Sequence, residues 1–192
     1  MSRERIEQGL DALGAVVAAS KALSPQVAAV ADRFAGTLRG GGTLYFCGNG
    51  GSAADAQHLA TEYVVRYGKA RRPLAAVALT TDTSLLTAAG NDLGFEQIFA
   101  RQVDALCRPG DLLVLHSTSG RSPNLLAAAR AARARQVPTV AFLGSAGGPL
   151  AQEVDQALLV PAQDTGQIQV LHLALEHLIV GLVEEALLPS LA

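Results

Sequence analysis

Residues 43–67 read TLYFCGNGGSAADAQHLATEYVVRY. A short apolar run, Thr43 to Gly48, ends in a glycine-rich turn, and a helical pattern starts directly behind it. The run is too short for a helix and is closed by turn residues, so it reads as a buried strand. Four more runs of this kind follow: LAAVALT from Leu74, DLLVLHS from Asp111, TVAFLG from Thr139 and QALLVP from Gln156. Helical segments separate them. Such alternation implies crossover units, hence an α/β fold with a mostly parallel five-stranded sheet and helices on both faces.

Upstream, Ile6, Leu10, Leu13 and Val17 recur at helical spacing and give an amphipathic first helix. Ser24 reads as an N-cap with Pro25 at the first helical position, opening a second helix that ends at the glycines 40–42. These two form a helical N-terminal extension over about residues 1–39. Downstream, Asp164 and Gln167 resemble a capping box and open a final helix running to about Leu187. No internal repeat or linker divides the chain, so residues 1–192 are expected to form one domain.

Composition supports one packed core. The chain has 192 residues, 49% hydrophobic and 17% charged. A net charge of −2 gives no general electrostatic reason to bind nucleic acid. The one basic cluster, Arg130 to Gln136, reads as a solvated helix face. Cys47 and Cys107 stand in no metal or redox spacing and read as small core residues in a reducing compartment. The N-terminus mixes charge with apolar residues, unlike a signal peptide, and no apolar run is expected to span a bilayer. A soluble cytoplasmic protein without nucleic-acid or membrane partners is the expectation.

In parallel α/β sheets, loops beyond the carboxyl ends of strands collect the ligand. Two such loops carry suitable chemistry. In GNGGS, Gly48 to Ser52, glycines let a ligand approach the backbone, and Ser52 with Asp55 can cap the following helix. That helix N-terminus suits an anionic or polyhydroxyl ligand, although a ligand-free tight turn has the same pattern. In STSGRS, Ser117 to Ser122, four hydroxyls surround Gly120 and form a candidate phosphate cradle.

His58 and Glu62, four apart on the helix behind the first loop, share a face and can reach one ion or one substrate. Spaced identically, His172 and Glu176 lie on the final helix beside Gln169 and His177. Spacing alone does not say which of these four faces the site.

CGNGGSAADAQHLATEYVVRY, ALTTDTSLLTAAGNDLGFEQIFARQV, STSGRSPN and DTGQIQVLHLALEHLIVGLVE together resemble the bacterial phosphoheptose isomerases. These are the sedoheptulose 7-phosphate isomerases of the sugar isomerase (SIS) domain superfamily. The likeness covers nearly the whole chain. It implies conversion of sedoheptulose 7-phosphate to D-glycero-D-manno-heptose 7-phosphate through an enediol, in a homotetramer with sites at subunit interfaces and one zinc per subunit. By resemblance, Asn49, Gly50, Gly51, Asn91 and Asp92 contact the sugar, and Ser117, Thr118, Ser119 and Ser122 hold the phosphate. His58, Glu62, Gln169 and His177 match the zinc positions. Glu62 and Gln169 also match substrate positions, and Glu62 with His177 the acid/base pair.

Three positions depart from the family pattern. Val170 replaces a usual glutamate, Glu176 stands where a small or apolar residue is usual, and His116 precedes the phosphate loop. Rivals to the isomerase reading are an isomerase of another phosphosugar such as arabinose 5-phosphate, a non-catalytic SIS tetramer binding the replication initiator, and a phosphosugar-sensing regulator. The initiator-binding relative lacks the glutamate and last histidine that are present here as Glu62 and His177, and the chain has no room for a regulator's DNA-binding domain.

One geometric expectation concerns Gln169 and His177, eight residues apart on the final helix. Their Cα atoms would be separated by roughly 12 Å along the axis and would point about 80° apart. A single ion is then hard for both to reach, so either the helix is distorted or the ligands come from more than one subunit. The interface-located site that the resemblance implies favours the second, with Glu62 and His177 from different chains.

Overall fold

The computed structural model describes residues 2–187. Helices α1 (Arg3–Ala19) and α2 (Ser24–Arg39) precede an alternating series. It runs β1 (Leu44–Gly48), α3 (Gly51–Val64), β2 (Ala76–Ala78), α4 (Thr83–Asp92), α5 (Ala100–Leu106) and β3 (Leu112–Ser117). It continues with α6 (Pro123–Ala134), β4 (Thr139–Leu143), α7 (Leu150–Glu153), β5 (Gln156–Leu159) and α8 (Thr165–Leu187). All five expected strands form. They pair in parallel in the order β2-β1-β3-β4-β5.

Alternation along each strand builds two cores. Leu44, Phe46, Leu112, Val114, Val140 and Phe142 pack with α2, α3 and α8 on one face. Cys47, Leu113, Leu115, Ala141 and Leu143 pack with α5 and α6 on the other. Both cysteines are buried and free, and burial pushes their thiols up, that of Cys107 to about 12. In the basic cluster, Arg130 and Arg133 both reach Glu153 at the surface.

Two local expectations are corrected. Ser24 does not cap α2: a short 3-10 turn, Ser20–Leu23, carries the helix on from α1, and the Ser24 hydroxyl donates back to the Lys21 carbonyl. Ser52 does not cap α3: Gly50 holds that position, its carbonyl accepting from Ala53 and Ala54, while Ser52 is buried at the second helical residue. By length and average composition alone, the helical stretch Arg3–Arg39 would qualify as a membrane span. Lys21, Ser24 and Pro25 interrupt it, however, and Val27, Val30 and Phe34 turn its second half into the core. Asp164 does cap α8, accepting from Gln167 N–H at 3.0 Å.

Candidate active site

The strand order reverses between β1 and β3, and the crevice beyond their carboxyl ends is where such sheets take ligands. The glycine loop leaves β1 there and the hydroxyl loop leaves β3. Two reciprocal amide bonds tie them together: Asn49 Nδ2 donates to Asn124 Oδ1 at 2.9 Å, and Asn124 Nδ2 to Asn49 Oδ1 at 2.8 Å. Asn124 was not singled out in the sequence, although it ends the quoted STSGRSPN motif.

The hydroxyl loop is pre-shaped by its own bonds. Ser117 Oγ accepts from Gly120 N–H at 3.0 Å, and Ser119 Oγ from Arg121 N–H at 3.3 Å. Gly120 has φ 63°, and a Cβ there would strike the Gly147 carbonyl oxygen at 1.9 Å. Only glycine lets the loop lie this close to the turn after β4. Thr118, Ser119, Arg121, Ser145, Gln163 and Thr165 line a cleft of about 420 Å³ at the ends of β3, β4 and β5. That is large enough for a sugar phosphate. Ser122 is half-buried just before α6.

Helices α3 and α8 run side by side in the same direction. At their first level, Gln169 lies over Gly51, where a Cβ would meet the Gln169 amide nitrogen at 2.5 Å. Two turns on, His58 Nε2 lies 2.9 Å from His177 Nε2 and 3.1 Å from Glu62 Oε1. These three side chains offer donor atoms that all lie within 4.8 Å of one another. Tyr67 stacks on the His177 ring, with centroids 5.3 Å apart and planes 14° from parallel. Its segment is pinned by Glu184, which accepts from the N–H groups of Tyr67, Gly68 and Lys69 and from Arg71 Nε at 2.8 Å.

One chain therefore brings Glu62 and His177 together, and the expectation that two chains must supply them is corrected. Gln169, eight residues before His177 on α8, lies with its amide against Gly51. Asn91 and Asp92 are exposed at the end of α4, where Asn91 Nδ2 donates to Asp92 Oδ1 at 2.7 Å.

Behind the site, the second histidine–glutamate pair of α8 points into the interior. His172 and Glu176 do not bond each other: Glu176 Oε1 lies 2.6 Å from His116 Nε2. Burial disfavours the His116 imidazolium, but the Glu176 carboxylate and their hydrogen bond outweigh it and hold the pKa above the usual histidine range. Burial raises that of Glu176, partly offset by His116. His172, desolvated and beside His116, falls to about 3.

The fold and these loops match a known class. The chain belongs to the SIS domain family, whose sequence profile matches residues 10–144. Within it the chain groups with the phosphoheptose isomerases. It is 54% identical over 164 residues to the phosphoheptose isomerase of Rhodospirillum rubrum, covering 85% of this chain and 87% of the relative. With that of Roseiflexus sp. (strain RS-1) it shares 51% over 164 residues, covering 85% and 83%. The solved phosphoheptose isomerase of Neisseria gonorrhoeae superposes with TM-score 0.91 at 40% identity, covering 95% of this chain and 98% of that one.

Proposed function

We propose that this chain interconverts sedoheptulose 7-phosphate and D-glycero-D-manno-heptose 7-phosphate, an aldose–ketose isomerisation. The observation that carries the reading is the convergence of Glu62 and His177, with His58, between α3 and α8. An isomerase must move one proton between neighbouring carbons and another between their oxygens. The Glu62 carboxylate takes the proton from C1 of the ketose, giving an enediol, and returns it to C2. The His177 imidazole moves the second proton from O1 to O2, so the atoms balance and nothing leaves.

The phosphate sits against Ser117, Thr118, Ser119 and Ser122, whose hydroxyls and backbone amides donate to it. Arg121 extends this cradle along the cleft. Asn49, Gly50 and Gly51 meet the sugar, with Gln169 aligned to them across Gly51. Asn91 and Asp92 complete the sugar contacts in the assembled protein.

His58, Glu62 and His177 fit a zinc ion. Two imidazoles and one carboxylate are the donor set of catalytic sites that keep a position open. Their separations of 2.9 and 3.1 Å need only a small opening, because zinc bonds of about 2.0–2.2 Å place tetrahedral ligands roughly 3.3–3.5 Å apart. A bound zinc supplies Lewis-acid polarisation of the substrate carbonyl. Gln169, whose amide lies against Gly51, is placed to meet the substrate and is the fourth residue of the resembled zinc set.

We assign a homotetramer with sites near subunit interfaces. Ile6, Leu10 and Val17 on α1 and Leu178 and Leu182 on α8 are exposed, and α1 has no buried residue, so a second copy gives these faces their partner. The buried free thiols fit a reducing cytoplasm. The deciding assay follows conversion of sedoheptulose 7-phosphate, with arabinose 5-phosphate as comparison, before and after chelation. Glu62→Gln keeps size and removes the base, so turnover should vanish with the assembly intact. Near-normal turnover in that variant would exclude Glu62 as the base.

A further inference from the structure

We infer that the buried His116–Glu176 hydrogen bond is a positioning strut that fixes the phosphate loop relative to His177. The inference rests on the reading of that loop and of His177 given above. His116 immediately precedes Ser117, the first residue of the hydroxyl loop, and Glu176 immediately precedes His177. The structure shows them to be the two ends of one 2.6 Å bond.

The His116 ring has little freedom. It is stacked between Phe46, at 6.2 Å and 16°, and Phe142, at 5.5 Å and 20°. Its Nδ1 lies 3.3 Å from the carbonyl oxygen of Cys47, the residue before the glycine loop. One imidazole thus touches, through single bonds or chain neighbours, all three segments of the site: the glycine loop, the phosphate loop and the His177 turn of α8. Both side chains are fully buried, at 0% and 1% exposure.

Core stability alone does not account for such a pair. Removing two ionisable groups from water costs as much as their attraction returns, and two apolar side chains of similar volume would pack equally well. What apolar packing lacks is direction. A short bond between a clamped ring and a carboxylate sets one distance between β3 and α8, and with it the reach from bound phosphate to the acid/base pair. A misplacement near 1 Å costs about 100-fold in rate. His116 and Glu176 touch no substrate, so they act through Ser117 and His177.

The test compares the wild type with His116→Leu/Glu176→Leu, which removes both ends together, and with Glu176→Gln, which keeps an acceptor for His116. The double variant should unfold at or above the wild-type temperature. Its kcat should fall about 10- to 100-fold, with KM within about threefold because each phosphate contact is retained. Glu176→Gln should keep kcat within about threefold. Crystal structures should show the Ser117–His177 Cα separation changed by about 0.5–1 Å in the double variant alone. A folded double variant with wild-type kcat and separation overturns the strut, as does loss of kcat in Glu176→Gln. Should the double variant not fold, Glu176→Asp withdraws the acceptor by one methylene, and wild-type kcat there overturns it equally. A wild type without turnover on the heptulose refutes the functional reading instead, and the crystallographic separation then decides the strut.

Discussion

Acid should destabilise this protein through His172. The side chain is fully buried on α8, edge-on to Phe142 at 6.0 Å and 6.4 Å from His116. Burial, and then the charge on His116, depress its pKa to about 3. In the unfolded chain it titrates near 6.5. Between these values the unfolded state binds a proton that the native state refuses, so stability rises with pH across that window. The contribution is intact above 6.5 and is lost as pH falls toward 3. At pH 4.5 the unfolded side chain is about two units below its pKa, and at 1.36 kcal/mol per unit the loss is roughly 2–3 kcal/mol. Neither ring nitrogen makes a hydrogen bond of good geometry, so His172→Leu should be tolerated and should remove this pH dependence. Urea unfolding of both proteins at pH 7.5 and 4.5, with chelator present and protomer concentration fixed, measures it. Equal losses in the wild type and in His172→Leu would refute the reasoning.

Replacing Ser117 and Ser119 together with alanine should raise KM at least tenfold, because each hydrogen bond to a charged phosphate contributes about 1.5–3 kcal/mol. An unchanged KM would move the phosphate elsewhere. Glu184→Ala should cost about 3–5 kcal/mol in urea unfolding, since it removes the carboxylate paired with the buried Arg71 side chain, which keeps its carbonyl acceptors, and frees three backbone N–H groups. A loss under 1 kcal/mol would show that the clamp contributes little. Mixing Glu62→Gln chains with His177→Ala chains should restore no activity even when subunits exchange, because each site draws both residues from one chain. Recovery would mean that the working pair spans two chains.

Much of the fold was legible in the sequence because parallel strands buried on both faces are written as short apolar runs between turns. The runs beginning at Thr43, Leu74, Asp111, Thr139 and Gln156 all form strands of one parallel sheet. The helix caps were less legible. Serine before a helix is a good cap only where the backbone leaves helical geometry, and at Ser24 it never does, with φ −49° and ψ −43°. At Ser52 the glycine two residues earlier had already opened the helix. In the site, His58 and Glu62 could be found by spacing, but the same spacing at His172 and Glu176 means something else. One pair lies on the face shared by α3 and α8, and the other lies beneath α8 against the sheet. Only the partner surface separates them, and no local pattern records it.

The interval between Gln169 and His177 illustrates how a correct distance can support a wrong conclusion. Eight residues span about 12 Å of helix, too far for easy convergence on one ion. That much stands. The inference of a second chain also required Glu62 and His177 to come from different chains, and in the structure one chain brings them together. On α3, Gly51 and His58 are seven residues apart, about 10.5 Å, almost the same interval. Because α3 and α8 run in the same direction, the two intervals align as two rungs: Gly51 with Gln169, then His58 with His177. The first rung lies at the glycine loop, where a sugar can be held. The second gathers nitrogen and oxygen donors that could hold a metal ion. Two parallel helices with matched spacing thus set the Gly51–Gln169 contact and the His58–Glu62–His177 cluster roughly two turns apart within a single chain.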